Sequence, residues 1–302
     1  MAEFPSGFKQ RVLELHGSNG QRWFDQLPSL IRSIEKSWNI QVSTYLPSLT
    51  YNYVALAETN EGNKTVLKIG VPCDALDLEA RSLQFFGGNG AARLLKYSTE
   101  RGAMLIERIE PGYSITQLDE KQAVKAFSFV IKEIHRSPDS SYNFPTLQDW
   151  GTGFDQLRAQ FDGKSGPLPP DLMDNGEAIY KDLIESMASP VLLHGDLHHE
   201  NILAGRRKPW LAIDPKGVIG EPEYEAGAFL RNPLSKLVYE DNLAGLIKNR
   251  IDMISEMTGY DKDRMAQWGF AQAVLSAIWS FEDHRSGWKN VLVVARAIQK
   301  AS

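Results

Sequence analysis

Asn201 follows Asp196 by five positions and Asp214 follows it by eighteen, in the segments Val191-Leu-Leu-His-Gly-Asp-Leu-His-His-Glu-Asn-Ile-Leu203 and Trp210-Leu-Ala-Ile-Asp-Pro-Lys-Gly217. Each segment is an apolar strand that delivers polar residues at its end. A short hairpin would bring all three side chains to one edge. Two carboxylates and an amide are hard oxygen donors, the kind Mg²⁺ takes alongside phosphate oxygens. Phosphoryl transfer to an alcohol needs an acceptor for the hydroxyl proton, a metal to neutralise phosphate charge, and an in-line approach. Asp196 suits the first task; Asn201 and Asp214 suit the second. A zinc site built from His194, His198 and His199 is disfavoured. Neighbouring histidines on a turn seldom converge on one tetrahedral ion, and no cysteine is near. His194 reads instead as a scaffold packed beneath the loop.

A second pair supports the first set. Lys68 interrupts the apolar run Val66-Leu-Lys-Ile69. In the helix expected after Asp74, the residues Leu76, Glu79, Leu83 and Phe86 share one face by their spacing. An unpaired carboxylate on that stripe would be costly. A Lys68–Glu79 ion pair resolves both anomalies and holds an ammonium for phosphate contact.

The elements that must position these residues fall into two regions. Residues 8–38 are helical, with Trp23, Leu27, Leu30, Ile31 and Ile34 on one side. Three β-rich runs follow at 40–45, 51–56 and 65–69. Asp74 caps a helix that ends near Gly87-Gly88, and two more strands lie near 93–97 and 104–107. Pro111-Gly112 is a break. Beyond it, Val124, Phe127, Ile131 and Ile134 mark a helix, 163–170 a loop, 177–187 a helix, and 240–300 a return to helix. The expected fold class is α+β, with a small antiparallel-sheet N-terminal lobe over 1–108 and a mainly helical lobe over 109–302.

Composition sets outer limits. Lys+Arg 33 against Asp+Glu 38 leaves a net charge of −5, which argues against a nucleic-acid partner. The single cysteine, Cys73, excludes an intramolecular disulfide framework. The opening MAEFPSGFKQ lacks a signal-peptide pattern, and no apolar run reaches membrane-spanning length. A cytoplasmic protein with no membrane partner is expected.

With these residues assembled, the sequence resembles the protein-kinase-like superfamily. His194-Gly195-Asp196 through Asn201 looks like its catalytic loop, Ile213-Asp214 like the start of its metal-binding segment, and Lys68 and Glu79 like its β3 lysine and αC glutamate. HGD in place of HRD is typical of aminoglycoside and small-molecule kinases. A closer resemblance is to the aminoglycoside 6-phosphotransferase family, of streptomycin 6-kinases and hydroxyurea kinases. It rests on Leu15-His-Gly17, Tyr51-Asn-Tyr-Val54, Leu67-Lys-Ile69, Gly90–Leu95, Leu105–Gly112, Leu193–His199, Ile213-Asp-Pro-Lys-Gly217 and Leu230-Arg-Asn-Pro233.

The resemblance implies an ATP- and Mg²⁺-dependent phosphotransferase acting on a hydroxyl of a small molecule, foremost an aminoglycoside of the streptomycin type. Asp196 would be the base, Asn201 and Asp214 the metal ligands, and Lys68 with Glu79 the phosphate-binding pair. Glu107 to Ile109 would be the hinge whose backbone meets adenine, and Lys216 a phosphate or substrate contact. Glu221, Glu223 and Arg231 are acceptor candidates. With Glu225, the two glutamates form an acidic segment suited to guanidinium groups. Three departures stand out. Residues 46–53 hold no glycine, so phosphate contact there would fall to Ser48, Thr50 or backbone amides. Glu225 stands where the family leads one to expect aspartate, and Glu200 where glycine is frequent. Other readings are a housekeeping kinase for another alcohol, amine or sugar, and a nucleotide-binding pseudokinase. Retention of Lys68, Glu79, Asp196, Asn201 and Asp214 speaks against the last.

Overall fold

The computed structural model describes residues 4–5, 7–47, 49–139, 142–284 and 287–301. The chain divides into two compact units, Met1–Gly112 and Tyr113–Ser302. In the first, helix α1 (Phe8–Trp38) leads into β1 (Ile40–Tyr45), β2 (Tyr53–Thr59) and β3 (Lys64–Ile69). Helix α2 (Asp74–Phe86), β4 (Leu94–Ser98) and β5 (Ala103–Glu107) follow. The strands form one antiparallel sheet in the order β1-β2-β3-β5-β4. Lys68 therefore sits on the middle strand, opposite Val54 and Met104.

Helix α1 bends at Gly17, whose φ of 54° and ψ of −130° suit glycine and few other residues. Its face of Phe8, Val12, Trp23, Leu27 and Ile34 buries against Leu67, Ile69 and Leu105 of the sheet. Leu30 and Ile31, expected on that face, are only half buried. Asp74 does not cap α2. Cys73 holds the cap position without a side-chain bond, and Asp74 lies in the first turn, where its charge opposes the positive end of the helix dipole. Gly87, at φ 58°, closes the helix through its amide on Leu83. The stripe Leu76, Glu79, Leu83 and Phe86 is buried as its spacing predicts.

The second unit is mainly helical. Pro111-Gly112 opens a strand, β6 (Pro111–Ser114), rather than a break. Helices α3 (Glu120–Ile134), α4 (Leu147–Gln160) and α5 (Pro170–Glu185) follow. Helix α5 starts seven residues before the expected position, because Pro170 occupies its first turn, where a missing N–H costs nothing. Then come β7 (Val191–Leu193), β8 (Ile202–Gly205), β9 (Trp210–Ala212) and β10 (Val218–Gly220). Helices α6 (Ala226–Leu230), α7 (Leu234–Leu237), α8 (Leu243–Thr258), α9 (Lys262–His284) and α10 (Trp288–Ala301) complete the unit. Helix α9 carries buried residues on most sides, Trp268, Phe270, Val274 and Ile278 among them, and packs against α5, α6 and α10.

The two apolar runs that deliver the chemical residues do not pair with each other. β7 pairs with β10, whereas β9 pairs with β8 in a sheet that also holds β6. The β8–β9 ladder, with Ile202 opposite Ala212, brings Asn201 beside Ile213, and individual hydrogen bonds join residue 194 to residues 213–217.

Candidate active site

In the first unit, Lys68 Nζ lies 2.8 and 2.7 Å from the two carboxylate oxygens of Glu79. The residues are 6% and 7% exposed, so neither charge is shared with bulk water. Removing one partner of such a buried pair costs roughly 3–5 kcal/mol, because the other charge is left uncompensated. The pairing fixes the ammonium on the central strand. Glu107 is committed at the end of β5. Its amide donates to the Arg93 carbonyl at 2.9 Å, and its carboxylate accepts the Arg93 amide at 3.0 Å. Ile109 lies two residues past the strand and is buried. Ser48, named for phosphate contact, lies outside the described residues.

In the second unit, His194 ties the two chemical segments together. Its Nε2 donates to the Ile213 carbonyl at 2.7 Å, its Nδ1 accepts the Asp196 amide at 3.2 Å, and its own carbonyl accepts the Lys216 amide at 2.8 Å. Complete burial holds the imidazole below its ordinary pKa, against the opposing pull of Glu225. His199 is pushed down to about 2, by burial first and then by Arg250, and its ring stacks on Phe229 at 4.2 Å. His194 is spent on hydrogen bonds and His199 on packing, and among the described residues no three His, Cys, Asp or Glu side chains converge as a metal site.

Asp196 is half-buried. Burial alone would raise its carboxyl, but Arg231, then His198, Lys216 and His194, outweigh it and hold the group below the usual carboxylate range. Arg231 Nη2 lies 3.3 Å from Asp196 Oδ1, and Nη1 donates to the buried Gln272 at 2.6 Å. An ionised, anchored carboxylate is what a proton acceptor must be. Asn201 Nδ2 donates to the Asp196 carbonyl at 2.9 Å, which leaves Oδ1 as the atom to meet a cation. Asp214 is half-buried at a left-handed φ of 59°, a conformation open to few residues besides glycine and asparagine or aspartate. The donor set therefore fits a hard cation that keeps other ligands from water or phosphate.

A sequence model described as an aminoglycoside/hydroxyurea antibiotic resistance kinase matches residues 38–284. The chain belongs to this family. It is an ATP-dependent phosphotransferase with an alcohol group as acceptor. It is 24% identical over 284 residues to a streptomycin 6-kinase of Streptomyces glaucescens, covering 94% of this chain and 92% of that one. It is 29% identical over 291 residues to a hydroxyurea phosphotransferase of Kitasatospora aureofaciens, covering 94% and 82%. In fold it resembles the choline kinase of Streptococcus pneumoniae, with a TM-score of 0.61 at 13% identity over 91% of this chain and 99% of that one. The α+β class and the protein-kinase-like fold are those expected. Among the described residues no helix is long and apolar enough to cross a membrane.

For this antibiotic resistance kinase, the acidic segment is not an open acceptor wall. Glu221 is buried and accepts from Arg264 Nε at 2.8 Å and Trp268 Nε1 at 2.6 Å. Glu225 is 0% exposed and accepts the amides of His194 at 2.6 Å and Gly195 at 2.9 Å. Burial pushes the Glu223 carboxyl up, and the charge on Glu221 adds to it. Its Oε1 accepts the Asp261 amide at 3.4 Å. Two of the three glutamates are thus committed to holding the protein's own loops. Sequence reasoning had no signal for this, because their partners lie 30 to 47 residues away. Arg250 was missed for the same reason. Fully buried, it grips Glu120 at 2.6 and 3.0 Å and donates to the carbonyls of Phe229, Leu230 and Asn232, around the turn that presents Arg231.

The glycine of the HGD turn has a direct physical cause. Gly195 has φ +83°, and a Cβ there would stand 2.7 Å from Trp150 Cη2 and 3.2 Å from Val218 Cγ1. A left-handed backbone costs a residue with a side chain roughly 1–2 kcal/mol, and the clash adds to it. Gly195→Ala is expected to lower stability by about 2–5 kcal/mol and turnover by at least about tenfold. Urea unfolding and steady-state kinetics on the purified variant check both.

Proposed function

We propose that this chain transfers the terminal phosphoryl group of Mg²⁺·ATP to a hydroxyl of an aminoglycoside of the streptomycin type. Asp196 takes the hydroxyl proton, and Lys68, held by Glu79, contacts the nucleotide phosphates. The backbone around Arg108 and Ile109 meets the adenine, since the Glu107 amide is already spent. Arg231 stands beside the reacting hydroxyl, where Asp196 and Gln272 hold it. Asn201 and Asp214 would hold Mg²⁺, which supplies neutralisation of phosphate charge when bound. The observation that carries the reading is the Asp196 carboxylate: its loop amides are anchored on a buried glutamate, Asn201 is bonded to its carbonyl, and its charge is stabilised by Arg231.

Hydroxyurea is the second reading, favoured by the 29% identity to a hydroxyurea phosphotransferase. It is small and neutral, so it asks for no carboxylates beyond the base. That suits a segment in which Glu221 and Glu225 are internally committed. ATP consumption with streptomycin, other aminoglycosides, hydroxyurea, choline and simple sugars separates the readings. Streptomycin-dependent turnover well above the others is expected. Turnover with choline or a sugar alone would move the chain to metabolism, and turnover with none would end the proposal.

A further inference from the structure

Glu225 holds the loop of the proposed base from beneath, and among the described residues one side chain, His135, bonds Glu225. His135 follows the last residue of α3, ninety positions earlier in the chain. Its Nε2 lies 3.3 Å from Glu225 Oε2, and its Nδ1 lies 2.8 Å from the hydroxyl of Tyr260. The imidazole side chain is 4% exposed, and its ring runs nearly parallel to that of Tyr260, 13° between planes. With Glu225 ionised, Nε2–H donates to the carboxylate and Nδ1 accepts the tyrosine hydroxyl. Glu225 then takes three bonds, from His135 and from the amides of His194 and Gly195. A carboxylate with no solvent exposure needs such partners to remain charged and in one place.

We infer that His135 is a positioning residue for the phosphoryl-transfer step: it fixes the rotation of the Glu225 carboxylate, and through the His194 and Gly195 amides it sets where Asp196 stands. The inference rests on Asp196 as the base. A glutamate has one more rotatable bond than the aspartate expected at this position, so its carboxylate needs a lateral hold that a shorter side chain would not. The Oε2 that accepts from His135 is the oxygen that also takes the His194 amide at 2.6 Å. Loss of the histidine contact therefore loosens the very oxygen that anchors the loop.

Three substitutions separate positioning from packing. His135→Phe keeps the ring and its stacking on Tyr260 but removes both hydrogen bonds. Glutamine can place an amide N–H where Nε2 stands; asparagine reaches only the position of Nδ1. The expected result is a loss of roughly ten- to a hundredfold in kcat for His135→Phe, with KM for ATP nearly unchanged, since misplacement of a reacting group by about 1 Å costs up to that much. His135→Gln should recover most of kcat and His135→Asn little of it. Hydrogen exchange at His194 and Gly195, read on the full chain without substrate, should quicken in the Phe and Asn variants and stay slow in the Gln variant. Kinetics use ATP with streptomycin and with hydroxyurea as probes. Wild-type kcat in a folded His135→Phe, equal behaviour of Gln and Asn, or unaltered exchange would each overturn the inference. If the Phe variant does not fold, the order of Gln and Asn still decides. Asp196→Ala is run alongside. Full turnover there would remove Asp196 as the base, while the exchange measurement still reads the hold of His135 on the loop by itself.

Discussion

Asp196→Ala should lose about 10²–10⁴-fold in turnover while nucleotide affinity stays close to that of the parent chain. That range is what a positioned proton acceptor contributes. The loop's scaffold rests mainly on other groups: the amides of 194 and 195 are held by Glu225, and Asn201 bonds the backbone carbonyl of residue 196 rather than its side chain, while within the loop the carboxylate meets only His198 Nε2, at 3.9 Å, among the described residues. The truncated variant should therefore keep its loop. Its main structural change is the release of Arg231 from one of two partners, with Gln272 still in place. Single-turnover kinetics with a nucleotide titration would test this. Undiminished turnover removes Asp196 from the chemistry, and a parallel loss of nucleotide binding places it on the wrong substrate.

Asp214→Asn should fail in a different way. Asparagine tolerates the left-handed backbone at φ 59° about as well as aspartate does, so the fold is spared the strain that alanine would bring. The charge is lost. Turnover should then demand at least about tenfold more Mg²⁺, with a matching loss in affinity for the metal–nucleotide complex, since weakening even the support of a metal ligand costs 10–100-fold. Turnover measured across a Mg²⁺ series is the direct assay. A variant with the parent's Mg²⁺ dependence would mean that Asp214 holds no metal.

The Lys68–Glu79 pairing was legible because each residue violates a local rule. Lys68 breaks an apolar strand and Glu79 breaks an apolar helix stripe, so each advertises a partner, and the two are bonded in the structure. Asp196 and Asn201 declare themselves by residue type and spacing. The fold class was legible for a similar reason, since the β-rich runs at 40–69 and the helical stripe from Val124 to Ile134 differ in period. Strand pairing was not. A three-residue strand such as Val191–Leu193 carries too little pattern to choose between β9 and β10 as its neighbour. The glutamates at 221 and 225 were misread because a buried, fully partnered carboxylate and a solvated one are the same letter. What distinguishes them is Trp268, Arg264 and His135, and only the fold brings those near.

The grip of Arg250 on three carbonyls has a consequence for how this part of the molecule opens. Residues 229–232 end one short helix and precede another, and a connection of that kind ordinarily frays by itself. Here Arg250 of α8, itself held by Glu120 of α3, donates to its carbonyls. The turn cannot detach without stranding Arg250 Nη1, which donates to all three carbonyls, and a buried donor left unmade costs about 1–3 kcal/mol or more on a charged group. It must therefore open together with α8 as one cooperative segment, and the arginine at its centre inherits the rigidity of a helix although it sits in a loop.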